Sequence, residues 1–318
     1  MGRKRIKLGF FPTPVLEMKR LSDHLGGPKL FVKRDDLTGL ALGGNKTRKL
    51  EYLFAEAVAS GCDSVITAGA EQSNHCRQTA AAAAVCGLEC HLVLGGAEPN
   101  SLKGNLLLDN LLGAVIHWTG EYRKGEKIPE IVKNLHNSGK KPYVIPYGGS
   151  NPTGALGFVE AVRELSAQCD EYELSFSHIV FASSSGGTQA GLMVGKVLYD
   201  QRFEIIGIGI DKTDSGNNFS KKILDLANDS AKLIAEDISF VSSDATVIND
   251  YLGEGYGIVG QAEKEAIKLL AEKEGIILDP VYTAKAMAGL IAMINKRVFS
   301  QNDTVLFWHT GGTPALFT

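Results

Sequence analysis

Parallel sheets covered by helices on both faces, the α/β class, are what this 318-residue sequence predicts. Three observations carry the prediction. Short apolar runs alternate with segments of helical periodicity along the chain, no repeat or low-complexity linker interrupts that order, and 44% hydrophobic content suffices for a large core. Sheets of this kind bind ligands at the carboxyl ends of their strands.

The first strand is expected at 29–33, the apolar run Leu30-Phe31-Val32 between two lysines. A loop with Gly39, Gly43 and Gly44 leads into a helix over 45–60, where Leu50, Leu53, Phe54, Ala57 and Val58 recur at helical spacing. A strand at 65–69 ends in a polar turn, followed by the alanine-rich helix 77–86. Strands at 91–94 and 115–119 enclose a helix over 106–112, and a helix over 126–138 precedes a strand at 143–146. Pro146, Gly148, Gly149 and Pro152 then mark a crossing between domains. Helix 153–169, strand 178–181, helix 189–200 and strand 205–210 continue the alternation. Helices at 260–273 and 282–295 and a last strand at 304–308 complete it.

Composition narrows the function. A net charge of −3 and a pI near 6.2 leave no footprint for nucleic acid or an anionic membrane. The basic start Arg3-Lys4-Arg5 is followed by no apolar stretch long enough for a signal peptide, and no run approaches a membrane span. The expectation is a cytoplasmic protein. Cys62, Cys76, Cys86, Cys90 and Cys169 are odd in number and form no C-x-x-C, so they read as small hydrophobes in a reducing compartment. The seven histidines show no i, i+4 pairing, and no metal is expected.

Two features point to chemistry. Lys46 sits where the glycine loop becomes helix, and the positive end of the helix dipole disfavours its ammonium form. Taken alone, it reads better as a solvated surface lysine. Far along the chain, Ser185-Gly186-Gly187-Thr188 joins the strand at 178–181 to a helix, where free backbone N–H groups and hydroxyls make an anion cradle. The turn lacks both the nucleotide P-loop pattern and the dinucleotide fingerprint. An amine for an aldehyde and a cup for a phosphate together suggest pyridoxal 5'-phosphate.

Five blocks then act together: Gly-Gly-Asn-Lys-Thr-Arg-Lys-Leu-Glu at 43–51, Gln72-Ser73-Asn74-His75, Ser185-Gly186-Gly187-Thr188, Leu278-Asp279-Pro280-Val281-Tyr282-Thr283 and His309-Thr310-Gly311-Gly312. In order and spacing they resemble the D-cysteine desulfhydrase and 1-aminocyclopropane-1-carboxylate deaminase family, over about residues 6 to 317. The resemblance implies fold-type II pyridoxal-phosphate architecture: two open twisted, mostly parallel sheets with helices on both faces. It implies a large cofactor-binding domain of residues 1–47 and 156–318, a small inserted domain of 48–155, and a homodimer.

The same resemblance assigns roles. Lys46 bonds the coenzyme aldehyde and later handles the substrate Cα proton; Ser185, Gly186, Gly187 and Thr188 hold the phosphate. Asn74 contacts the ring-oxygen side of the coenzyme and Thr310 faces its pyridine nitrogen. Ser73 and His75, at a helix start, favour an incoming α-carboxylate, with Gln72 a lesser candidate in the turn. Ser73 also reads as a plain N-cap, and one hydroxyl can do both. Tyr256, among glycines, and Tyr282 form an aromatic pair over the substrate, against the ordinary reading of core tyrosines. Deaminase members carry Glu after the tyrosine and Leu before the last glycines; here Thr283 and Thr310 match the desulfhydrase pattern. The implied reaction is α,β-elimination on D-cysteine, in amino-acid metabolism, giving sulfide, pyruvate and ammonia. L-cysteate lyase and cyclopropane deaminase are alternatives in the same chemistry, the former needing a cation such as Arg77 for its sulfonate. A non-catalytic pyridoxal-phosphate-binding protein is the distant alternative.

Overall fold

The computed structural model describes residues 4–212 and 217–318. Its strands form two sheets, one drawn from within the sequence of the other. The six-stranded sheet has the order β1-β2-β10-β7-β8-β9: Val15–Glu17, Lys29–Arg34, Thr304–His309, His178–Ser183, Glu204–Gly209 and Val247–Ile248. Only β1 runs antiparallel; the other pairings are parallel. The four-stranded sheet, order β5-β4-β3-β6, is wholly parallel and built from Val115–Trp118, Glu89–Leu94, Ser64–Gly69 and Pro142–Val144. Ten helices are described: α1 Lys19–Leu25, α2 Lys46–Ala59, α3 Asn74–Cys86, α4 Gly104–Leu111, α5 Ile128–Asn137, α6 Pro152–Tyr172, α7 Gly187–Leu198, α8 Asn217–Leu233, α9 Gln261–Glu274 and α10 Thr283–Asn295. Among the described residues no helix is long and apolar enough to cross a membrane.

The central strands are apolar throughout because both faces are covered. Leu306 and Trp308 join one core with Ile179 and Phe181, while Val305, Phe307 and Val180 point to a second core on the opposite face. The nested sheet divides likewise, with Val65, Leu92 and Leu94 on one side and Ile66, Ala68 and Val93 on the other. Four elements lie outside the expected set: β1, α1, α8 and β9. The first two and β9 are short. In α8, Phe219, Ile223, Ala227 and Ala231 recur every fourth residue and are buried, but intervening Lys, Asn and Asp residues hide the stripe.

Parallel registers bring the carboxyl ends of β2, β10 and β7 to one edge: His309 lies beside Arg34, and Ser183 beside Gly209 on β8. Beneath that edge α2 is fixed by charge. Arg48 donates to both Asp35 oxygens at 2.8 Å and to the two Glu164 oxygens at 2.9 and 3.0 Å, joining the end of β2 to α6. Lys33 of β2 also bonds Glu164, and Thr13 and Gln168 fill the remaining positions. Burial alone would raise the Glu164 carboxyl, but Arg48 and Lys33 outweigh it and hold it at about 2.

Removing one partner of such a network leaves buried charges unpaired, so Glu164→Ala is expected to cost about 3–5 kcal/mol, read from urea unfolding. The depressed Glu164 value gives the pH dependence. Its contribution is complete above the ordinary 4.5 and declines as pH falls from there through about 2. The gap between wild type and Glu164→Ala should narrow over that interval.

Candidate active site

Lys46 is the first residue of α2, reached through a strained loop. Ala41, Leu42, Gly43 and Gly44 all have positive φ (41°, 69°, 69° and 131°), a conformation that costs the two non-glycine residues about 1–3 kcal/mol each. Arg77 holds the loop: its guanidinium donates to Ala41 O, to Gly43 O at 3.0 Å and to Asn105 Oδ1 at 2.7 Å. Gln78 Oε1 receives Thr47 N at 2.9 Å and Thr47 Oγ1 at 3.0 Å, and Asn45 N donates to Thr310 O at 3.0 Å. The Lys46 ammonium is destabilised, its value lowered to about 8. Burial is the largest cause, opposed by the contact with Lys49. One turn on, Lys49 donates to Gly148 O at 3.2 Å and Ser150 Oγ at 3.1 Å, and burial followed by the charge of Lys46 pushes it well below its ordinary range.

At the end of β7 the chain turns through Ser184, Ser185 and Gly186, the last at φ 88°, into α7, whose N-cap Gly186 has no side chain to cap it. Ser150 knits this turn to the 3₁₀ turn Tyr147–Gly149, donating to Ser185 Oγ at 2.7 Å and accepting Gly187 N at 3.2 Å. Asn45 Nδ2 reaches Thr188 Oγ1 at 3.4 Å. Gly148 is needed here. At φ 67°, a Cβ on it would stand 2.4 Å from Ser185 Oγ and 3.5 Å from Lys46 Nζ, so the amine and the hydroxyl turn close on the same small space.

The third wall is the start of α3. Ser73 is its N-cap, accepting Cys76 N at 3.2 Å. Asn74 accepts Asn105 Nδ2 at 2.8 Å, leaving its own amide Nδ2 toward Gly312, where a Cβ would come within 2.6 Å. Thr67 Oγ1 donates to Ile145 O at 2.9 Å, so its oxygen accepts from His75 Nε2 at 2.9 Å. That assigns the Nε2–H tautomer and leaves His75 Nδ1 a buried acceptor with no partner among the described residues. Burial, aided by Lys46 and Lys49, keeps the ring neutral by pushing its value well down.

Tyr282 stands before α10. Asp279 accepts the backbone N–H groups of Val281, Tyr282 and Thr283 at 2.9, 2.9 and 2.7 Å and the Thr283 hydroxyl at 2.7 Å, which fixes that turn. Tyr256 meets Tyr282 hydroxyl to hydroxyl at 2.7 Å, rings edge to face with centroids 5.9 Å apart. Burial pushes both phenols up, so both stay protonated at neutral pH.

A cleft of about 610 Å³ lies between these walls. Of the residues singled out in the sequence, Lys46, Ser73, Asn74, His75, Ser185, Gly186, Thr188, Tyr282 and Thr310 line it. Gly187, Tyr256 and Thr283 stand directly behind that lining. Gln72 lies apart, its side-chain oxygen accepting Asn105 N at 2.8 Å at the start of α4. Tyr147, Gly148 and Asn45 line the cleft without having been singled out for it. The Tyr147-Gly148-Gly149 run is visible as a glycine-rich stretch, but it works here as wall rather than as crossing alone. Lys49 had a signal too, three residues beyond Lys46 on one helix face.

A model of pyridoxal-phosphate-dependent enzymes matches residues 6–311. The chain belongs to that family. It is 44% identical to a D-cysteine desulfhydrase of Klebsiella pneumoniae strain 342 over 320 aligned positions, covering 98% of this chain and 95% of that protein. A D-cysteine desulfhydrase from a second strain of the species is 43% identical over the same coverage. A crystal structure of an ACC deaminase homologue superposes with TM-score 0.91 at 38% identity, covering 99% of this chain and 94% of the other. Threonine deaminase isoform 2 of Solanum lycopersicum, at TM-score 0.65 and 16% identity over 94% of this chain and 79% of its own, shares the fold alone.

The cleft fits the family's coenzyme, pyridoxal phosphate. It offers a half-buried amine partly neutral at physiological pH, a helix start with glycine at its N-cap flanked by Ser185 and Thr188 hydroxyls, and glycines where added side chains would intrude. Two outcomes are expected. Coenzyme uptake by the apoprotein, followed by absorbance, should quicken with pH about a midpoint near 8, because the neutral Lys46 amine is the nucleophile. Gly148→Ala should weaken coenzyme binding by about tenfold or more in a fluorescence titration, since its methyl enters the cup at a strained φ.

Proposed function

We propose that this chain catalyses α,β-elimination on D-cysteine, releasing sulfide, pyruvate and ammonia. The observation that carries the reading is the meeting of Lys46, the Ser73–His75 turn and Tyr282 in one cleft, in a chain 44% identical to a D-cysteine desulfhydrase. When bound, pyridoxal phosphate supplies the electron sink for charge developing at Cα. Ser185, Gly186, Gly187 and Thr188 would receive its phosphate, with the Lys49 amine beside them through Ser150. Thr310 would meet the pyridine nitrogen, where a neutral hydroxyl would not enforce protonation as a carboxylate would. Asn74 would meet the ring oxygen.

The substrate carboxylate is received by Ser73 Oγ and the N–H groups opening α3. Lys46 Nζ takes the Cα proton, the Cβ–S bond breaks, and hydrosulfide departs beneath Tyr282 and Tyr256. Water then hydrolyses the released enamine to pyruvate and ammonia. His75, neutral with an acceptor facing inward, suits a thiol better than an anionic side chain. A sulfonate substrate also loses its expected cation, because Arg77 is fully buried and its guanidinium is committed to Ala41, Gly43 and Asn105. Thr283, bound to Asp279, sits where deaminases carry a carboxylate and shapes the turn beneath Tyr282. In this reading Gln72 acts at one remove, fixing the Ser73 turn through Asn105.

The same proposal includes a cytoplasmic homodimer and a small domain of 48–155 inserted between 1–47 and 156–318, its first boundary falling in the opening turn of α2. Sulfide and pyruvate release should be measured across D-cysteine, L-cysteine, β-chloroalanine, cysteate and 1-aminocyclopropane-1-carboxylate. D-cysteine is expected to lead, and Lys46→Ala to abolish both turnover and the yellow colour. Ketobutyrate from the cyclopropane substrate, or cysteate as the best substrate, would replace this reading.

A further inference from the structure

Arg123, in the loop after β5, reaches from the four-stranded sheet to the six-stranded one. Its mount is rigid. Gly96 and Gly120 exchange backbone bonds at 2.6 and 3.0 Å, and Thr119 N donates to Leu94 O at 2.9 Å. Gly95 admits the turn against the end of β4; a Cβ there would lie 2.7 Å from Arg123 Cβ. From this mount the guanidinium crosses to the loops beyond β8. Nη2 donates to Asp211 Oδ2, and Cζ stands 4.4 Å from the centre of the Tyr256 ring. Asp211 is 5% exposed, and Arg123 Nη1 is buried with no hydrogen-bond partner among the described residues. An unmet buried donor calls for an explanation.

The residue it covers needs support. Tyr256 lies between Gly255 and Gly257, at φ 144° and 76°, with Gly253 at 60°, so its own backbone restrains it little. Yet its hydroxyl must stay 2.7 Å from that of Tyr282, whose ring lines the cleft. A planar cation anchored at Asp211 and laid over the ring face fixes both the position and the tilt of Tyr256. We propose that Arg123 is a positioning residue for the substrate-facing tyrosines: it bridges the two sheets and, through Tyr256, sets the Tyr282 hydroxyl over the substrate. The proposal rests on the elimination reading for the part Tyr282 plays, but the hold itself can be tested without it.

The experiment uses the holoenzyme with Arg123→Met, Arg123→Lys, Arg123→Ala and Tyr256→Leu, D-cysteine and β-chloro-D-alanine as substrates, and near-UV circular dichroism as a readout independent of turnover. Misplacing a group at the reacting centre costs up to about 100-fold. Arg123→Met is therefore expected to lower kcat roughly 10- to 100-fold on both substrates with KM within about threefold. Guanidinium ion should restore part of the activity of Arg123→Ala. The Tyr256→Leu background should absorb the effect of Arg123→Met on both rate and dichroism. Full activity in Arg123→Met, additive losses in the double variant, or no dichroism change would overturn the proposal. A loss confined to one of the two substrates would also overturn it, making Arg123 a substrate ligand. If wild type turns over neither substrate, the elimination reading fails, while the dichroism cycle between Arg123 and Tyr256 still decides the hold. Should Arg123→Met not fold, Arg123→Lys and the guanidinium rescue decide the same question.

Discussion

A half-buried lysine amine on the cleft wall, with no carboxylate bonded to it among the described residues, is the constraint around which this molecule is arranged. Three cations lie within four residues of α2, and the structure treats them oppositely. Arg48 faces Asp35 and Glu164, which more than offset its burial and raise it above its ordinary value. Lys46 and Lys49 lie one turn apart on another face, with no carboxylate bonded to either amine among the described residues, and burial lowers both. The paired side of the helix bonds it into the protein; the unpaired side supplies the reactive amine. Neither role would survive exchange of the faces.

Much of the rest of the cleft is placed by strand ends. β2, β7 and β10 finish at one edge and deliver the Asp35 carboxylate, the Ser185 turn and Thr310, while β3 delivers Ser73 from the other sheet. Backbone then comes close to backbone. A Cβ on Gly311 would stand 2.8 Å from Gly44 Cα, so the loop before Lys46 and the loop after β10 touch with nothing between them. The glycine-rich character of the motifs follows from this crowding as much as from phosphate recognition.

How much of this was legible in the sequence depended on distance along the chain. The buried strands and most helices show as local patterns, and Lys46 and Ser185–Thr188 stand out because loop, residue and helix start are contiguous. Arg48 and Arg77 give no such sign. Their partners lie up to 116 residues away, so Arg77 reads as a surface arginine although it is wholly buried. Tyr147 and Gly148 were visible as a turn, but only packing against Ser185 makes them part of the site. Thr283 and Gln72 lie in the right segments, yet their side chains are spent on Asp279, inside the same motif, and on Asn105, which no motif contains. The lowered Lys46 value rests on burial, which only neighbours brought together by folding create.

Arg77 is a single guanidinium with three acceptors, and they belong to opposite sides of the cleft. Ala41 and Gly43 precede the lysine, whereas Asn105 binds Asn74 and, through Gln72 O at 2.9 Å, the turn ahead of Ser73. The gap between nucleophile and carboxylate seat is thus gauged by the reach of one side chain far from either ligand. A family member that needed a wider or narrower chamber could obtain it by altering that spacer, leaving every residue that touches the substrate unchanged.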